Sequence, residues 1–102
     1  EDARADDNYA LRCAAEYGHL EVMKFLHTTF HLTDEDARAD NNDALILAAS
    51  HGHVEVLKWL VEKFELTAED VTARNNAALI GAARNGHYDV VNWFQDTFGL
   101  TL

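Results

Sequence analysis

Asn42–Leu60 reads NDALILAASHGHVEVLKWL, and the chain contains two further versions of this stretch. Asn8–Leu26 reads NYALRCAAEYGHLEVMKFL and Asn76–Phe94 reads NAALIGAARNGHYDVVNWF, each displaced by 34 residues. The 102 residues therefore divide into three units, 1–34, 35–68 and 69–102. Asn8, Ala10, Leu11, Ala14, Ala15, Gly18, His19, Val22, Phe30, Leu32 and Thr33 recur unchanged in both later units. A fixed period of this length is the mark of a stacked array, in which one unit cannot bury its apolar face alone.

The spacing inside the unit predicts its structure. Leu11, Ala14, Ala15 and Gly18 stand at i, i+3, i+4 and i+7, one face of a first helix. Gly18 supplies the left-handed residue that ends it. Val22, Phe25, Leu26 and Phe30 mark one face of a second helix after a gap so short that the two must lie antiparallel. The fold class expected is all-α, a solenoid of three stacked helix pairs, with cohesion between flat slabs.

The run Leu11-x-x-Ala14-Ala15-x-x-Gly18-His19-Leu20-Glu21-Val22-x-Lys24-x-Leu26 resembles the ankyrin-repeat motif. The likeness covers both helices of every unit, with conservative changes at Tyr88, Asp89, Asn92 and Phe94. Two features depart from the family pattern. The family's opening T-P-L-H is replaced by Tyr9-Ala10-Leu11-Arg12 and its equivalents, and the chain has no proline. The family's β-hairpin finger is replaced by links such as Phe64-Glu65-Leu66-Thr67-Ala68-Glu69-Asp70. Thr67 can cap a helix there, with Glu69 and Asp70 in its first turn beside the positive dipole end. A short helical turn is expected in place of the finger.

Composition narrows the function classes. At 48 % hydrophobic and 25 % charged, the chain suits one globular domain, 1–102, with a modest core. Its net charge of −10 argues against a nucleic-acid partner and against an anionic membrane surface. A lone cysteine, Cys13, excludes an intramolecular disulfide and suits a reducing, cytoplasmic setting. No apolar run has membrane-spanning length, and no signal-peptide pattern is present. The chain starts without Met at a unit boundary, as a piece of a longer array would.

The acidic residues gather in the links: Glu1, Asp2, Asp6 and Asp7, then Asp34, Glu35, Asp36, Asp40 and Asp43. They do not make a calcium loop. From Asp34 the fifth position is Arg38, from Asp36 the third is Arg38, and from Asp40 the fifth is Ala44. They read as a solvated acidic edge. The first link, residues 1–7, is expected to fray or pack loosely.

No cofactor, metal or catalytic residue is assigned. His19, His53 and His87 repeat at equivalent sites, but stacked helices stand about 8–10 Å apart, whereas two zinc ligand atoms must approach within about 4 Å. Each is expected to shape the turn into the second helix and to bond a backbone group there. The pairs His51/His53 and His27/His31 each lack a third ligand of suitable spacing. Ser50 beside His51 is not a nucleophile–base pair, because neighbours on a helix point in different directions. Phe30, Phe64 and Phe98 are assigned to the core between slabs, and Phe25, Trp59 and Trp93 to a partly exposed outer ladder.

Positions that differ between units mark a candidate binding surface: Asp6/Asp40/Arg74, Tyr9/Asp43/Ala77, Arg12/Ile46/Ile80, Glu16/Ser50/Arg84 and Tyr17/His51/Asn85. The resemblance implies a protein partner held on a concave face built from the link and the first helix. Matched residue by residue, it points to Glu16, Tyr17, Ser50, His51, Arg84 and Asn85, with Tyr9, Arg12 and Asp43 completing the set. Tyr17 and His51 are the best anchors by type. The acid excess suits a basic patch on the partner. The alternative is a spacer or scaffold segment without a partner, able to associate end to end; on that reading the variable positions differ only because solvent tolerates anything. Replacing Ala48 or Ala49 by Leu should overpack the slabs and lower stability by about 1–3 kcal/mol or more, measurable as a shift in the urea midpoint.

Overall fold

The computed structural model describes residues 3–100. Among them the chain forms eight helices: α1 (Ala3–Tyr17), α2 (Leu20–Phe30), α3 (Asp34–Ala37), α4 (Ala39–Ser50), α5 (Val54–Phe64), α6 (Ala68–Val71), α7 (Ala73–Arg84) and α8 (Tyr88–Phe98). Neighbouring first helices α1, α4 and α7 pack side by side, and each lies against its own second helix, α2, α5 or α8. The array measures 39 × 22 × 21 Å. This is the expected all-α pile of helix pairs.

The joint inside each pair follows from Gly-His. Gly18, Gly52 and Gly86 have φ of +73°, +77° and +77°, a region that glycine enters without a Cβ clash. The next amide then reaches back: His19 N–H donates to Ala14 O at 2.8 Å, and His53 and His87 repeat this to Ala48 and Ala82 at 2.9 Å. The second helices also end in left-handed residues, His31, Glu65 and Gly99.

The seams between units rest on small residues in the first helices. Ala15, Ala48, Ala49 and Ala82 are fully buried. The side chain of Ser50 in α4 fills the space where a Cβ on Gly81 of α7 would stand. Leu11, Leu45 and Leu79, and Leu57 and Leu60 from α5, are fully buried too.

The links are short helical turns. Thr33 N–H and Oγ1 both donate to Asp36 Oδ2, at 2.8 and 3.0 Å, and Asp36 N–H donates back to Thr33 Oγ1 at 3.3 Å. Thr67 N–H and Oγ1 likewise donate to Asp70 Oδ2, at 2.8 and 3.1 Å. Asp70 also ties two units together. Arg38 Nε and Nη2 donate to its two oxygens at 2.7 and 2.9 Å, and Asn42 Nδ2 donates at 3.2 Å. The Arg38 guanidinium, against the opposing desolvation, holds the Asp70 carboxyl far below the usual carboxylate range, and Thr67 and Asn42 add to it. Asn42 itself, within the first turn of α4, has φ +65°, a left-handed value that asparagine tolerates.

Three expectations need correction. Asp36 is buried, not part of a solvated edge, and Asp43 is half-buried; capping and ion pairing draw them in. Glu1, Asp2 and the side chains of Asp6, Asp7 and Asp40 lie outside the described residues. Residues 3–7 form the start of α1, as a stretch without Gly or Pro and with acid at its start can do; residues 1–2 of that link and the packing of its side chains lie outside the described residues. Phe30 is 48 % exposed while Phe64 is 1 % exposed, because the ring over Phe64 comes from His27 of the unit before, at 5.4 Å. Phe98 is half-buried: the smaller Val61 stands at the position equivalent to His27.

Arg38→Leu should lower stability by roughly 1–3 kcal/mol, by leaving Asp70 without its cation. The sign with pH follows from the depressed Asp70 pKa. The native carboxylate contributes fully above its unfolded value of about 3.9 and loses that contribution as pH falls below it toward the native value. The gap between wild type and Arg38→Leu in urea unfolding should therefore be flat above about pH 5 and shrink below about pH 4.

Candidate functional site

The variable residues fall along the first-helix layer, where the close seams leave side chains at the ends of α1, α4 and α7 free to vary. Tyr9, Arg12, Cys13, Glu16, Asp43 and Leu47 line a shallow groove of about 340 Å³ between α1 and α4. Arg12 lies over the Tyr9 ring at 5.8 Å. A side-chain hydrogen bond with Cys13, and then electrostatic repulsion from it, push the Tyr9 phenol above its usual range.

Asp43 sits between two arginines. Arg12 Nη1 stands 3.9 Å from Asp43 Oδ2, and Arg74 Nη1 stands 3.4 Å from Asp43 Oδ1. One carboxylate of the middle unit thus faces cations from both outer units. These pairs are partly solvated and individually weak, but they hold three side chains in register across the strip.

Nearer the Gly-His turns, His51 Nε2 stands 3.8 Å from Glu16 Oε2. Asn85 Nδ2 donates to the Ser50 carbonyl at 2.9 Å. Tyr17, His51, Arg84 and Asn85 are exposed, and Glu16 and Ser50 are half-buried. The structure therefore joins Tyr9, Arg12, Glu16 and Asp43 in one groove, links Glu16 to His51, and links Ser50 to Asn85. Tyr17 and Arg84 stand beside this chain of contacts.

The histidine ladder is built across seams. His53 Nε2 is 3.0 Å from Glu16 O in the preceding unit; a carbonyl only accepts, so that nitrogen carries the proton. The acceptor is in the neighbouring unit, not in the local turn expected from the sequence. The His51 and His53 rings stack 6.3 Å apart at 14°, and His27 packs edge-on to Trp59 at 5.8 Å. Among the described residues, no group of three or more His, Cys, Asp or Glu is arranged to hold a metal ion.

Two features were not found by sequence reasoning. Arg74 varies between units, but its reach to Asp43 is legible only in three dimensions. On the second-helix layer, Lys24, Trp59, Glu62 and Lys63 line a groove of about 410 Å³. Its signal was present: Lys24, Lys58 and Lys63 are the only lysines in the chain, and all fall on α2 or α5.

A family model for ankyrin repeats, in three copies, matches residues 11–99. The chain belongs to the ankyrin-repeat family. Ankyrin repeats are in general protein-interaction modules, and the helix pairs, Gly-His turns and close first helices described above are this chain's version of that architecture. No curated protein and no solved structure matches the chain. No helix among the described residues is long and apolar enough to cross a membrane.

Because Asp43 is half-buried between two solvated cations, Asp43→Asn should change folding stability by less than about 1 kcal/mol. Matching urea midpoints for wild type and variant would show this; a loss above about 2 kcal/mol would mean the pairs act as a buried network.

Proposed function

We propose that this ankyrin-repeat chain is a non-enzymatic module, its three units forming one domain, that binds a basic segment of another protein along its first-helix layer. The observation that carries the reading is the strip itself. The side chains that differ between units come together in space, and contacts from unit to unit hold them in register. Tyr17 and His51 are exposed and serve as anchors. Glu16, Asp43 and Ser50 supply acceptors, and Tyr9, Arg12, Arg84 and Asn85 complete the contact set. The net charge of −10 supports a partner rich in Lys or Arg and disfavours nucleic acid and anionic membrane. The lone thiol supports work in the cytoplasm.

A spacer with no partner of its own is the second reading, favoured by the exposed Phe25 and Phe30 at one end of the array. The two readings separate by selection. A displayed peptide library panned on wild type, after depletion on a Tyr17→Ala/His51→Ala double variant, should yield peptides rich in Lys or Arg. Those peptides should bind the double variant at least about tenfold more weakly, and should lose affinity steeply as salt rises. Recovery of peptides indifferent to both changes would refute the strip as the binding surface; recovery of none would favour the spacer.

A further inference from the structure

The second-helix layer holds a groove that the variable strip does not use. Lys24 of α2 and Trp59, Glu62 and Lys63 of α5 line about 410 Å³ of it, and a recess of about 270 Å³ beside them adds His27 and Thr28. Trp59 and Lys63 stand at i, i+4 on α5, on one face of that helix. The Trp59 indole is half-buried and held edge-on by two rings, His27 at 5.8 Å and Phe64 at 5.6 Å. It therefore offers a fixed apolar surface beside two ammonium groups.

Charge is divided between the layers. The five arginines stand in the links and first helices, whereas all three lysines stand on α2 and α5. Against those lysines the two helices carry only Glu21, Glu55 and Glu62, so the net charge of −10 belongs to the rest of the chain. Lys24 stands 3.6 Å from Glu21 Oε2 in an exposed i, i+3 pair, of the weak kind that a ligand can displace. Lys63 is exposed and has no ion pair among the described residues. The next seam supplies a contrast. One unit along, Lys58, Val61 and Glu62 replace Lys24, His27 and Thr28, and Trp93, Asp96 and Thr97 replace Trp59, Glu62 and Lys63. That set keeps the indole but holds one lysine and two carboxylates, where the first holds two lysines and one carboxylate.

We propose that the α2–α5 groove docks an acidic segment of a protein, with an apolar side chain on the Trp59 indole and a carboxylate on either side of it meeting Lys24 and Lys63. Charge complementarity selects this occupant. A basic segment would meet two like charges, and a purely apolar one would strip water from them without return. A nucleic-acid strand brings a charge at every phosphate into the field of a chain at −10, whereas this segment needs only two. The inference does not rest on the proposed basic partner, because the two surfaces lie on different helix layers and prefer opposite charge.

The test follows the indole N–H resonances of Trp59 and Trp93 in the isotope-labelled chain, titrated to about 5 mM with the blocked peptide acetyl-GEFEG-amide. The Trp59 resonance should move and saturate while that of Trp93 holds still. GQFQG, which lacks the carboxylates, and GESEG, which lacks the ring, should each bind at least about fivefold more weakly. Lys24→Gln/Lys63→Gln should weaken GEFEG by about fivefold or more, each single variant falling between, with the Trp93 resonance in place to show an intact fold. Glu62→Gln removes the groove's own carboxylate and should tighten binding about twofold. Tyr17→Ala/His51→Ala should bind GEFEG as wild type does, which separates this groove from the strip. A Trp59 resonance unmoved at the highest peptide concentration, equal shifts at both indoles, or a lysine double variant that binds like wild type overturns the inference. So does a short oligothymidylate that moves Trp59 where the peptide does not, which would assign the groove to single-stranded nucleic acid.

Discussion

Flush contact between first helices is the constraint on which the structure depends. Alanine at the paired positions, and glycine at Gly81 opposite Ser50, let α1, α4 and α7 lie close enough for the second helices to pack behind them. The Gly-His turns then have only one geometry that works. A glycine must leave the first helix in the left-handed region, and its bare Cα must admit the imidazole of the following unit. The His53 ring completes the seam by donating to Glu16 O across it. Helix termination and inter-unit adhesion are thus carried by the same two residues.

The acidic links add a second, polar tie. Asp36 and Asp70 cap their own turns, and Asp70 also receives a bidentate arginine and an asparagine amide from the unit before. A carboxylate that satisfies a local turn and a distant cation together makes the turn's formation depend on the neighbour being in place. Asp43, facing cations from both outer units, extends the same logic to the variable strip. Asp36 and Asp43, which look like solvated surface in the sequence, are therefore structural.

The helix pairs were readable from periodicity because their apolar positions recur three times at one spacing, and the Thr-x-x-Asp signature announced the link turns. Three kinds of fact were not readable. The constant asparagine had no evident role until Asn42 appeared at positive φ with its amide on Asp70. The ladder of Phe30, Phe64 and Phe98 looked uniform, but burial depends on which residue the previous unit supplies: His27 shields one ring, Val61 shields another less. The strip of variable residues could be named, yet not the order of its contacts, because Arg12, Asp43 and Arg74 meet across units and no spacing within one unit encodes that. The Lys24–Trp59–Lys63 groove was missed although the clustering of the lysines on the second helices was there to be read.

The cross-section of 22 × 21 Å against a length of 39 Å has its own consequence. Such a rod thickens nowhere as units are added, so the share of each unit in contact with water stays constant. Lengthening it multiplies addressable surface in proportion to genetic length, whereas a ball of the same mass would hide most of the addition. A substitution in one slab is felt by the two slabs that touch it and by no others, leaving recognition free to diversify rung by rung.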